Sequence, residues 1–367
     1  MVRDGAYWVR TESGPVGMAP MRVLKVTTRG HVIVRGSQGE QALYKLVERV
    51  KARTPEEAHH LFGSSITSTK SLNGITTWTV AVLAREEVIT QLEVSVPRRL
   101  AGVILDVRPG DVEAYDLDGN VRVETTAGMI HCDSIRGSVE GRTGGGEIRM
   151  GKIGGPVRCI SEAGSIFVDN AGSEALCQTA GGEIQVHEAT GPLTLSTEGG
   201  NIQVDKAAGT VEAHTGEGVI EIFQAGGVVF ADTRGGSIQV GSAQGVKCQS
   251  AAGAIRVKTG SGPLHLQTAM GSILAELLAG ARVEDSSLVA GSGDITVLIP
   301  SNLALSVLAR NDSGGNPRII SDFSELRAKS AAAMYRPPLV FEGSINGGGP
   351  LLTLNTSGGI IYVRKLK

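Results

Sequence analysis

The chain has 367 residues and an unusual composition, with 51 Gly but only 6 Phe, 5 Tyr and 2 Trp. Its formal net charge of −2, from 35 basic and 37 acidic residues, excludes the basic excess typical of nucleic-acid binding, so we expect no nucleic-acid partner. A hydrophobic content of 41% excludes a disordered chain. No run approaches the roughly 18 apolar residues of a membrane span, so no transmembrane segment is predicted. The N-terminal residues Met1–Gly5 contain no apolar signal core.

Residues 1–100 show strand-like runs around one short helix. The runs are Met21–Val34, Ala42–Ala52, Thr76–Leu83 and Ile89–Val96. Thr54 is the predicted N-cap of the helix, Pro55 is its first residue, and Glu57 completes a capping box before Ala58–Phe62. We expect this segment to cap the repeats that follow it, because an open stack of strands exposes unpaired edges.

From residue 101 to residue 299 the sequence follows an 18-residue repeat. The anchor of each unit is Gly, any residue and Ile, as in Gly146-Glu147-Ile148, Gly164-Ser165-Ile166 and Gly182-Glu183-Ile184. A second Gly falls near the middle of most units. Since Gly adopts positive φ without steric cost, each unit is predicted to contain two short strands joined by two glycine turns. A repeat of this length is typical of a solenoid.

Equivalent positions of the repeat alternate between apolar and mostly polar residues. The second position after the anchor Gly is Ile in nine successive units: Ile130, Ile148, Ile166, Ile184, Ile202, Ile220, Ile238, Ile255 and Ile273. This alternation predicts strands with one inward face, and like residues at like positions predict parallel, in-register pairing of neighbouring units. A left-handed hexapeptide helix also fits this repeat length. The inward positions fall into two groups about half a unit apart, which favours a flattened coil of two strands.

Two further columns carry hydroxyl and thiol groups. A column three residues before the anchor contains only Thr or Ser: Thr125, Thr143, Ser161, Thr179, Thr197, Thr215, Thr233, Ser250 and Thr268. In the alternation of inward and outward positions this column falls on the inward side, near a turn between strands, so we predict a ladder of buried hydroxyl groups. The alternative is an array of hydroxyl groups on the outer face, like that of ice-binding solenoids. The cysteines Cys132, Cys159, Cys177 and Cys248 match no zinc spacing and fall in inward columns, so we expect them to be buried. Cys159 and Cys177 should stack on adjacent coils.

Residues 300–367 depart from the repeat and then return to it. Pro300 ends a strand, Leu303–Leu308 is a predicted strand, and Ser324–Met334 is a predicted short helix. Gly-x-Ile patterns reappear near residues 343 and 358. The predicted fold is therefore all-β: a parallel β-solenoid of 18-residue, two-strand turns, with an N-terminal cap containing one short helix. The predicted segments are a cap at 1–100, regular coils at 101–299, and irregular closing coils at 300–367.

These motifs make the chain resemble the DUF4097 family of adhesin-like β-solenoid proteins, a domain of unknown function. The resemblance covers nearly the whole chain. The segments that carry it, besides the repeats, are Arg53–Ala58, Val96–Arg98, Ile320–Phe323, Gly343–Gly349 and Thr353–Gly359. The resemblance implies a location in the cell envelope or outside the cell. It supplies no catalytic or cofactor-binding residues.

The outward columns offer little chemistry. One column carries separated ionisable residues at Asp133, Asp169, His187 and Asp205. A carboxylate dyad or a calcium site needs neighbouring carboxylates, so a solvated face is the favoured interpretation. We therefore predict no catalytic residue, no metal ligand and no cofactor.

One apolar feature stands out among the outward columns. Ile160, Phe167 and Leu176 lie in outward positions of adjacent units. They are interpreted either as a contact for the N-terminal region or as a partner patch.

Three hypotheses for function remain. The favoured one is a non-catalytic, adhesin-like binding or surface module for an unknown protein or glycan ligand. A second is a structural scaffold that self-associates end to end through its stacked strands. A third, a carbohydrate-active enzyme, rests only on the use of parallel β-helices by polysaccharide lyases and hydrolases. Because no catalytic constellation is found, we expect that the protein is not an enzyme.

Overall fold

The computed structural model describes residues 1–15, 22–62, 64–72, 75–83, 86–280, 282–314, 317–329 and 338–366. These residues are nearly all β, with one short helix near the N-terminus, and they form a parallel β-solenoid of about 11 turns of about 18 residues. The predicted fold class is thus confirmed. The chain divides into two compact units, unit 1 at Met1–Gly182 and unit 2 at Glu183–Lys367, which are described separately.

Unit 1 contains an irregular N-terminal part and a series of regular coils. The strands of the N-terminal part are β1 (Val2–Asp4), β2 (Tyr7–Pro15), β3 (Val23–Thr28), β4 (His31–Ser37), β5 (Leu43–Val50), β6 (Ser64–Leu72), β7 (Ile75–Leu83) and β8 (Val88–Pro97). The strands of the regular coils are β9 (Gly102–Val107), β10 (Val112–Leu117), β11 (Asn120–Thr125), β12 (Ile130–Ile135), β13 (Val139–Thr143), β14 (Ile148–Ile153), β15 (Val157–Ser161), β16 (Ile166–Ala171) and β17 (Ala175–Thr179).

Each regular coil of unit 1 gives one strand to each of two parallel sheets. Strands β10, β12, β14 and β16 pair successively in sheet A, and β9, β11, β13, β15 and β17 pair in sheet B. Ile148 lies opposite both Ile130 and Ile166, as in-register stacking requires. The flattened two-strand coil is therefore confirmed over the hexapeptide helix.

The N-terminal part joins the stack out of sequence order. Strand β3 pairs in parallel with both β7 and β9, and β4 pairs in parallel with both β8 and β10. Residues 23–37 thus form a coil inserted between 75–97 and 102–117. Strands β5, β2 and β1 then extend sheet A in antiparallel order, and β6 pairs antiparallel with β7 in sheet B.

Several details of this region differ from the sequence predictions. The run predicted at Met21–Val34 is two strands with a turn between them, and Met21 lies outside the described residues. Strands β1, β2 and β6 were not predicted. They form antiparallel pairs at the edge of the stack, where the 18-residue pattern gives no signal.

The predicted helix α1 (Pro55–Leu61) is present, and its N-cap is Thr54. The amide of Glu57 donates to Thr54 Oγ1 at 3.2 Å, as a capping box requires. The Glu57 carboxylate accepts from the Arg53 amide at 2.8 Å, one residue before the N-cap. Ala58 at the middle of α1 packs in one apolar cluster with Val50 on β5. The helix therefore covers the inner face of sheet A beyond the last parallel coil.

Unit 2 repeats the two-sheet coil, and its C-terminal strands pair out of sequence order. Its strands are β18 (Ile184–Ala189), β19 (Leu193–Thr197), β20 (Ile202–Ala207), β21 (Val211–Thr215), β22 (Ile220–Ala225), β23 (Val229–Thr233), β24 (Ile238–Ala243), β25 (Val246–Ser250), β26 (Ile255–Gly260), β27 (Leu264–Thr268), β28 (Ile273–Leu277), β29 (Ser286–Ala290), β30 (Ile295–Pro300), β31 (Leu305–Asn311), β32 (Arg318–Ser321), β33 (Arg327–Ala328), β34 (Leu339–Ile345), β35 (Leu351–Thr356) and β36 (Ile360–Leu366).

The C-terminal coil of unit 2 is inserted between two earlier segments. Strand β35 pairs in parallel with β29 and β31, and β36 pairs in parallel with β30 and β32. Strand β34 then pairs antiparallel with β31 in sheet B, and the short strand β33 pairs antiparallel with β34. The helix predicted at Ser324–Met334 is wrong for 324–329, which form a turn and β33; residues 330–334 lie outside the described ranges.

The core contains one inward column that the sequence analysis missed. Its members are buried Leu117, Ile135, Ile153, Ala171, Ala189, Ala207, Ala225 and Ala243. Each stands seven residues after an anchor Gly, so two consecutive outward residues precede it and interrupt the period of two. In one coil these residues are Asp133 and Ser134, and Ser134 has a φ of 59°. A strict alternation could not locate this third inward position.

The hydroxyl column is buried, which confirms its inward prediction. In unit 2, Thr215 Oγ1 donates to the carbonyl of Gly200 at 2.8 Å and accepts from the amide of Gly218 at 3.1 Å. The same pair of bonds is made by Thr233 and Thr268. One hydroxyl thus joins the anchor glycines of two neighbouring coils.

Several anchor glycines are required for a reason other than the predicted one. Gly146, Gly164, Gly218 and Gly236 have no positive φ. A Cβ built on any of them would lie well under 3 Å from the carbonyl oxygen of the anchor glycine in the preceding coil. Backbones approach so closely at this corner that no side chain fits between them.

All four cysteines are buried, as predicted, and the structure shows them free. Cys159 lies opposite Cys177 on the neighbouring coil of unit 1. Burial raises the pKa of Cys132 and of Cys248 to about 12, so both thiols stay protonated and behave as small apolar side chains.

Candidate functional site

Insertion of β4 beside β10 assembles a polar cluster on the outward face of sheet A in unit 1. The cluster, called the Tyr115 cluster, consists of His31, Glu113, Tyr115 and His131. Tyr115 Oη donates to Glu113 Oε2 at 2.7 Å, and His31 Nε2 lies 2.9 Å from Glu113 Oε1. His131 Nδ1 lies 3.1 Å from Tyr115 Oη, with the two rings edge to face at 5.3 Å. Residues from three separate coils therefore share one hydrogen-bond network.

The network fixes the direction of each hydrogen bond. A phenol has one proton, and Tyr115 donates it to Glu113, so His131 Nδ1 must be the donor to Tyr115 Oη. The carboxylate of Glu113 can only accept, so His31 Nε2 donates to it. This arrangement holds both rings in a defined orientation on the sheet surface.

The pKa values of Tyr115 and Glu113 suit neither group to proton transfer near neutral pH. Burial, reinforced by the hydrogen bond to Glu113, raises the pKa of Tyr115 to about 12, so the phenol stays protonated. Burial alone would raise the pKa of Glu113, but hydrogen bonds from Tyr115 and His31 outweigh it and lower that pKa. A general acid or base works best with a pKa near the operating pH, and neither group has one.

A cavity of about 480 Å³ adjoins the Tyr115 cluster and is called the β4 cavity. Its lining comes from β2, β4, β5 and β8: Ser13, Gly14, Pro15, Ile33, Arg35, Leu43, Tyr44, Lys45, Glu93, Val94 and Ser95. Arg35 connects the two features, because its guanidinium lies 4.6 Å from the centre of the Tyr115 ring. The volume lies within the range typical of small-ligand pockets.

The β4 cavity combines apolar surface with unpaired cations. Leu43 is 50% exposed there, and Ile33 points outward from β4 beside it. Neither Arg35 nor Lys45 forms an ion pair with a carboxylate in the part of the chain that the structure describes. Such a surface can bind a ligand that has both an apolar and an anionic or hydrogen-bonding portion.

The structure separates the three residues of the predicted partner patch. Ile160 and Leu176 lie on the neighbouring sheet-B strands β15 and β17, whereas Phe167 lies on β16 in sheet A. The guanidinium of Arg149 lies 5.2 Å from the Phe167 ring. All three side chains are partly buried. Ile160 and Leu176 thus lie on neighbouring strands, where Leu176 is opposite Arg158 and Ile160 is opposite Gln178, whereas Phe167 lies in the other sheet.

The predicted polar column behaves as a set of local contacts. Asp133 Oδ1 accepts from the amide of Lys152 at 2.8 Å in unit 1. In unit 2, His187 Nδ1 lies 2.7 Å from Asp205 Oδ2. Within the described ranges, no group of three or more His, Cys, Asp or Glu side chains is placed to hold a metal ion.

Sequence reasoning missed the Tyr115 cluster and the β4 cavity, although one signal was available. Gly30-His31-Val32 is a faint copy of the repeat anchor, and Val32 lies opposite Val112 in the observed register. Aligning these two coils places Ile33 and Arg35 opposite Glu113 and Tyr115. The sequence alone does not indicate that the coil formed by 23–37 docks against a coil so distant along the chain.

Comparison with solved structures gives matches at low identity and low TM-score. No family model matches the chain, and neither does any curated protein. A "putative adhesin" from Bacteroides fragilis NCTC 9343 is 13% identical, with a TM-score of 0.35; the match covers 64% of this chain and 97% of that one.

Two further solved structures span almost the whole chain. A "putative cell adhesion protein" from Clostridium sporogenes ATCC 15579 is 6% identical, with a TM-score of 0.21 and coverage of 98% and 100%. A "putative adhesin" from Parabacteroides distasonis ATCC 8503 is 9% identical, with a TM-score of 0.27 and coverage of 96% and 97%. Because identities and scores are low, function is argued below from the residues of the site.

Proposed function

We propose that the protein is a non-catalytic, adhesin-like binding module whose ligand, a protein or a glycan, occupies the β4 cavity. The observation that carries the proposal is the half-exposed Leu43 beside the unpaired cations Arg35 and Lys45, in a cavity large enough for a small ligand or a chain segment. Strands β2, β4, β5 and β8 form its floor, so the binding surface is held by backbone pairing rather than by loops.

Membership of the DUF4097 family and a location at the cell envelope or outside the cell are part of the same proposal. They are supported by the sequence motifs that span the chain. Within the described ranges, no helix has the length and apolar character needed to cross a membrane.

The absence of catalysis is also proposed, and the protonation states of Tyr115 and Glu113 support it. The raised pKa of Tyr115 and the lowered pKa of Glu113 leave neither group suited to proton transfer near neutral pH. End-to-end self-association has less support than ligand binding. The antiparallel strands β1 and β6 in unit 1, and β34 with β33 in unit 2, occupy positions where a second copy would otherwise add parallel strands.

The proposal is tested by measuring binding of the purified protein to a panel of glycans, peptidoglycan and matrix proteins, with light scattering on the same sample. Leu43→Asp places a charge in the β4 cavity at an exposed position, so folding should be retained. Burying a Leu against a ligand is worth about 1.5–3 kcal/mol, so affinity should fall about tenfold or more.

The matched control is Ile104→Asp, an exposed aliphatic residue on sheet B, which should leave binding unchanged. If Leu43→Asp weakens binding to none of the ligands that the wild type binds, the β4 cavity is refuted as a binding site. Growth of mass with concentration and no binding to any member of the panel would instead favour the scaffold.

A further inference from the structure

Phe223 is an exposed aromatic ring that the fold of unit 2 does not need. It points outward from β22 in sheet A and is 55% exposed. The equivalent positions of the coils before and after it are Asp205 and Gly241, so no apolar column demands a ring there. An exposed Phe without a packing role points to contact with another molecule.

The neighbouring coil leaves one side of this ring open. Gly241 has no side chain to cover Phe223, and a Cβ built on Gly241 would collide with the carbonyl oxygen of Phe223. A shallow notch of about 50 Å³ results, with Glu221, Gln239, Arg256 and Lys258 around the ring. These residues, with Phe223 and Gly241, are called the Phe223 notch. The close approach of the two backbones keeps position 241 a glycine and so keeps the notch open.

The edge of the Phe223 notch is positively charged. Arg256 and Lys258 are exposed, and neither forms an ion pair with any carboxylate among the described residues. Glu221 Oε1 already accepts a hydrogen bond from Gln239 Nε2 at 3.1 Å, which orients that amide beside the ring. The notch therefore combines an apolar platform, an oriented amide and two available cations.

From this geometry we infer that the Phe223 notch binds an acidic glycan whose sugar rings carry carboxylates, that is, a uronate polymer. The C–H face of a pyranose ring packs on the Phe223 ring by apolar contact. The uronate carboxylate pairs with Arg256, whose planar fork matches it, and with Lys258. The amide of Gln239 is in place for a sugar hydroxyl. This inference rests on the proposed binding function and adds to it a second binding site, in unit 2, with its own ligand class.

The probe that tests the inference is an oligomer of polygalacturonic acid, compared with the same oligomer after full methyl esterification. The two share one backbone, and only the acid form carries charge. Titration calorimetry should give binding of the acid form by the wild type and binding weaker by about tenfold or more for the ester, since esterification removes the ion pairs with Arg256 and Lys258.

Two variants and one matched control locate the site. Phe223→Ala and the double variant Arg256→Gln/Lys258→Gln should each weaken binding of the acid form about tenfold or more. Phe230→Ala should leave it unchanged, because Phe230 is 40% exposed on sheet B, between Glu212 and Lys247, whereas Phe223 lies on a strand of sheet A. Thermal melting of each variant checks that the fold is retained.

Equal affinity for acid and ester, no binding of the acid at millimolar concentration, or an unchanged Phe223→Ala would each overturn the inference. Loss in the double variant without loss in Phe223→Ala would overturn it too, because it would indicate binding by charge alone. Binding of protein partners only, abolished by Phe223→Ala, would reassign the notch. Leu43→Asp should leave binding of the acid unchanged, so failure at the β4 cavity and failure at the Phe223 notch can be told apart.

Discussion

Replacement of Thr215 by Val tests whether the hydroxyl ladder stabilises the solenoid. The side-chain volume is nearly kept, but the bonds to the carbonyl of Gly200 and from the amide of Gly218 are both lost. Thr215 is only 5% exposed, and Gly218 is buried, so water replaces these bonds poorly. At about 1 kcal/mol for each hydrogen bond, the variant should lose about 2 kcal/mol of unfolding free energy.

Urea unfolding followed by circular dichroism measures this loss, with Thr215→Ser as the control that keeps the hydroxyl and loses only a methyl group. The Val variant should unfold at a lower urea concentration than the Ser variant, and the amide of Gly218 should exchange its hydrogen faster. A Val variant as stable as the Ser variant, with unchanged exchange at Gly218, would refute the argument that these two bonds hold neighbouring coils together.

Three other perturbations address the core, the corner and the outer face. Ile202→Asp places an unpaired charge at a position where the side chain is 1% exposed, so the variant should melt at a much lower temperature than the wild type. The control Lys247→Asp changes an outward residue and should melt near the wild type. Similar melting temperatures for the two variants would contradict the assignment of Ile202 to an inward column. Gly218→Ala should lower the free energy of unfolding, because its Cβ meets a backbone carbonyl oxygen. Gly235→Ala has room for the Cβ, so its stability in urea unfolding should equal that of the wild type. Equal stabilities of the two variants would disprove the close approach of the backbones at Gly218. Glu113→Gln should melt below the wild type near neutral pH. The lowered pKa means that the carboxylate stabilises the fold above the ordinary value of 4.5 and loses this effect as the pH falls through the folded value. A melting difference that persists in acid would argue against this origin.

The sequence predicted the regular coils well because each residue there is constrained by the residue one unit away. Ile148 predicts Ile130 and Ile166 as its partners, and the structure confirms both. The column that includes Ile135 escaped prediction because two outward residues precede it and interrupt the alternation. The role of the anchor glycines was also misjudged. A regular spacing of Gly does not show whether the residue is needed for a positive φ or for the close approach of two backbones.

The candidate site was harder to predict, since it depends on the order in which coils stack. His31 and Arg35 reach Glu113 and Tyr115 only because β4 docks against β10. A local pattern can indicate that residues 23–37 form a coil, but not which coil they contact. The β4 cavity likewise needs β2 and β5, whose antiparallel pairing lies outside the repeat.

Strands pair out of sequence order only in particular segments of the chain, and this restricts where the chain can gain or lose residues during evolution. In unit 2 the coils from β20 to β26 pair only with their neighbours in sequence, whereas β29 to β36 are interleaved. In-frame duplication of one repeat unit, from Gly200 up to Gly218, would therefore add one coil and leave every interleaved pair intact. The same duplication within β29 to β36 would separate strands that must meet. Copy-number variation among related genes should accordingly fall in the regular coils.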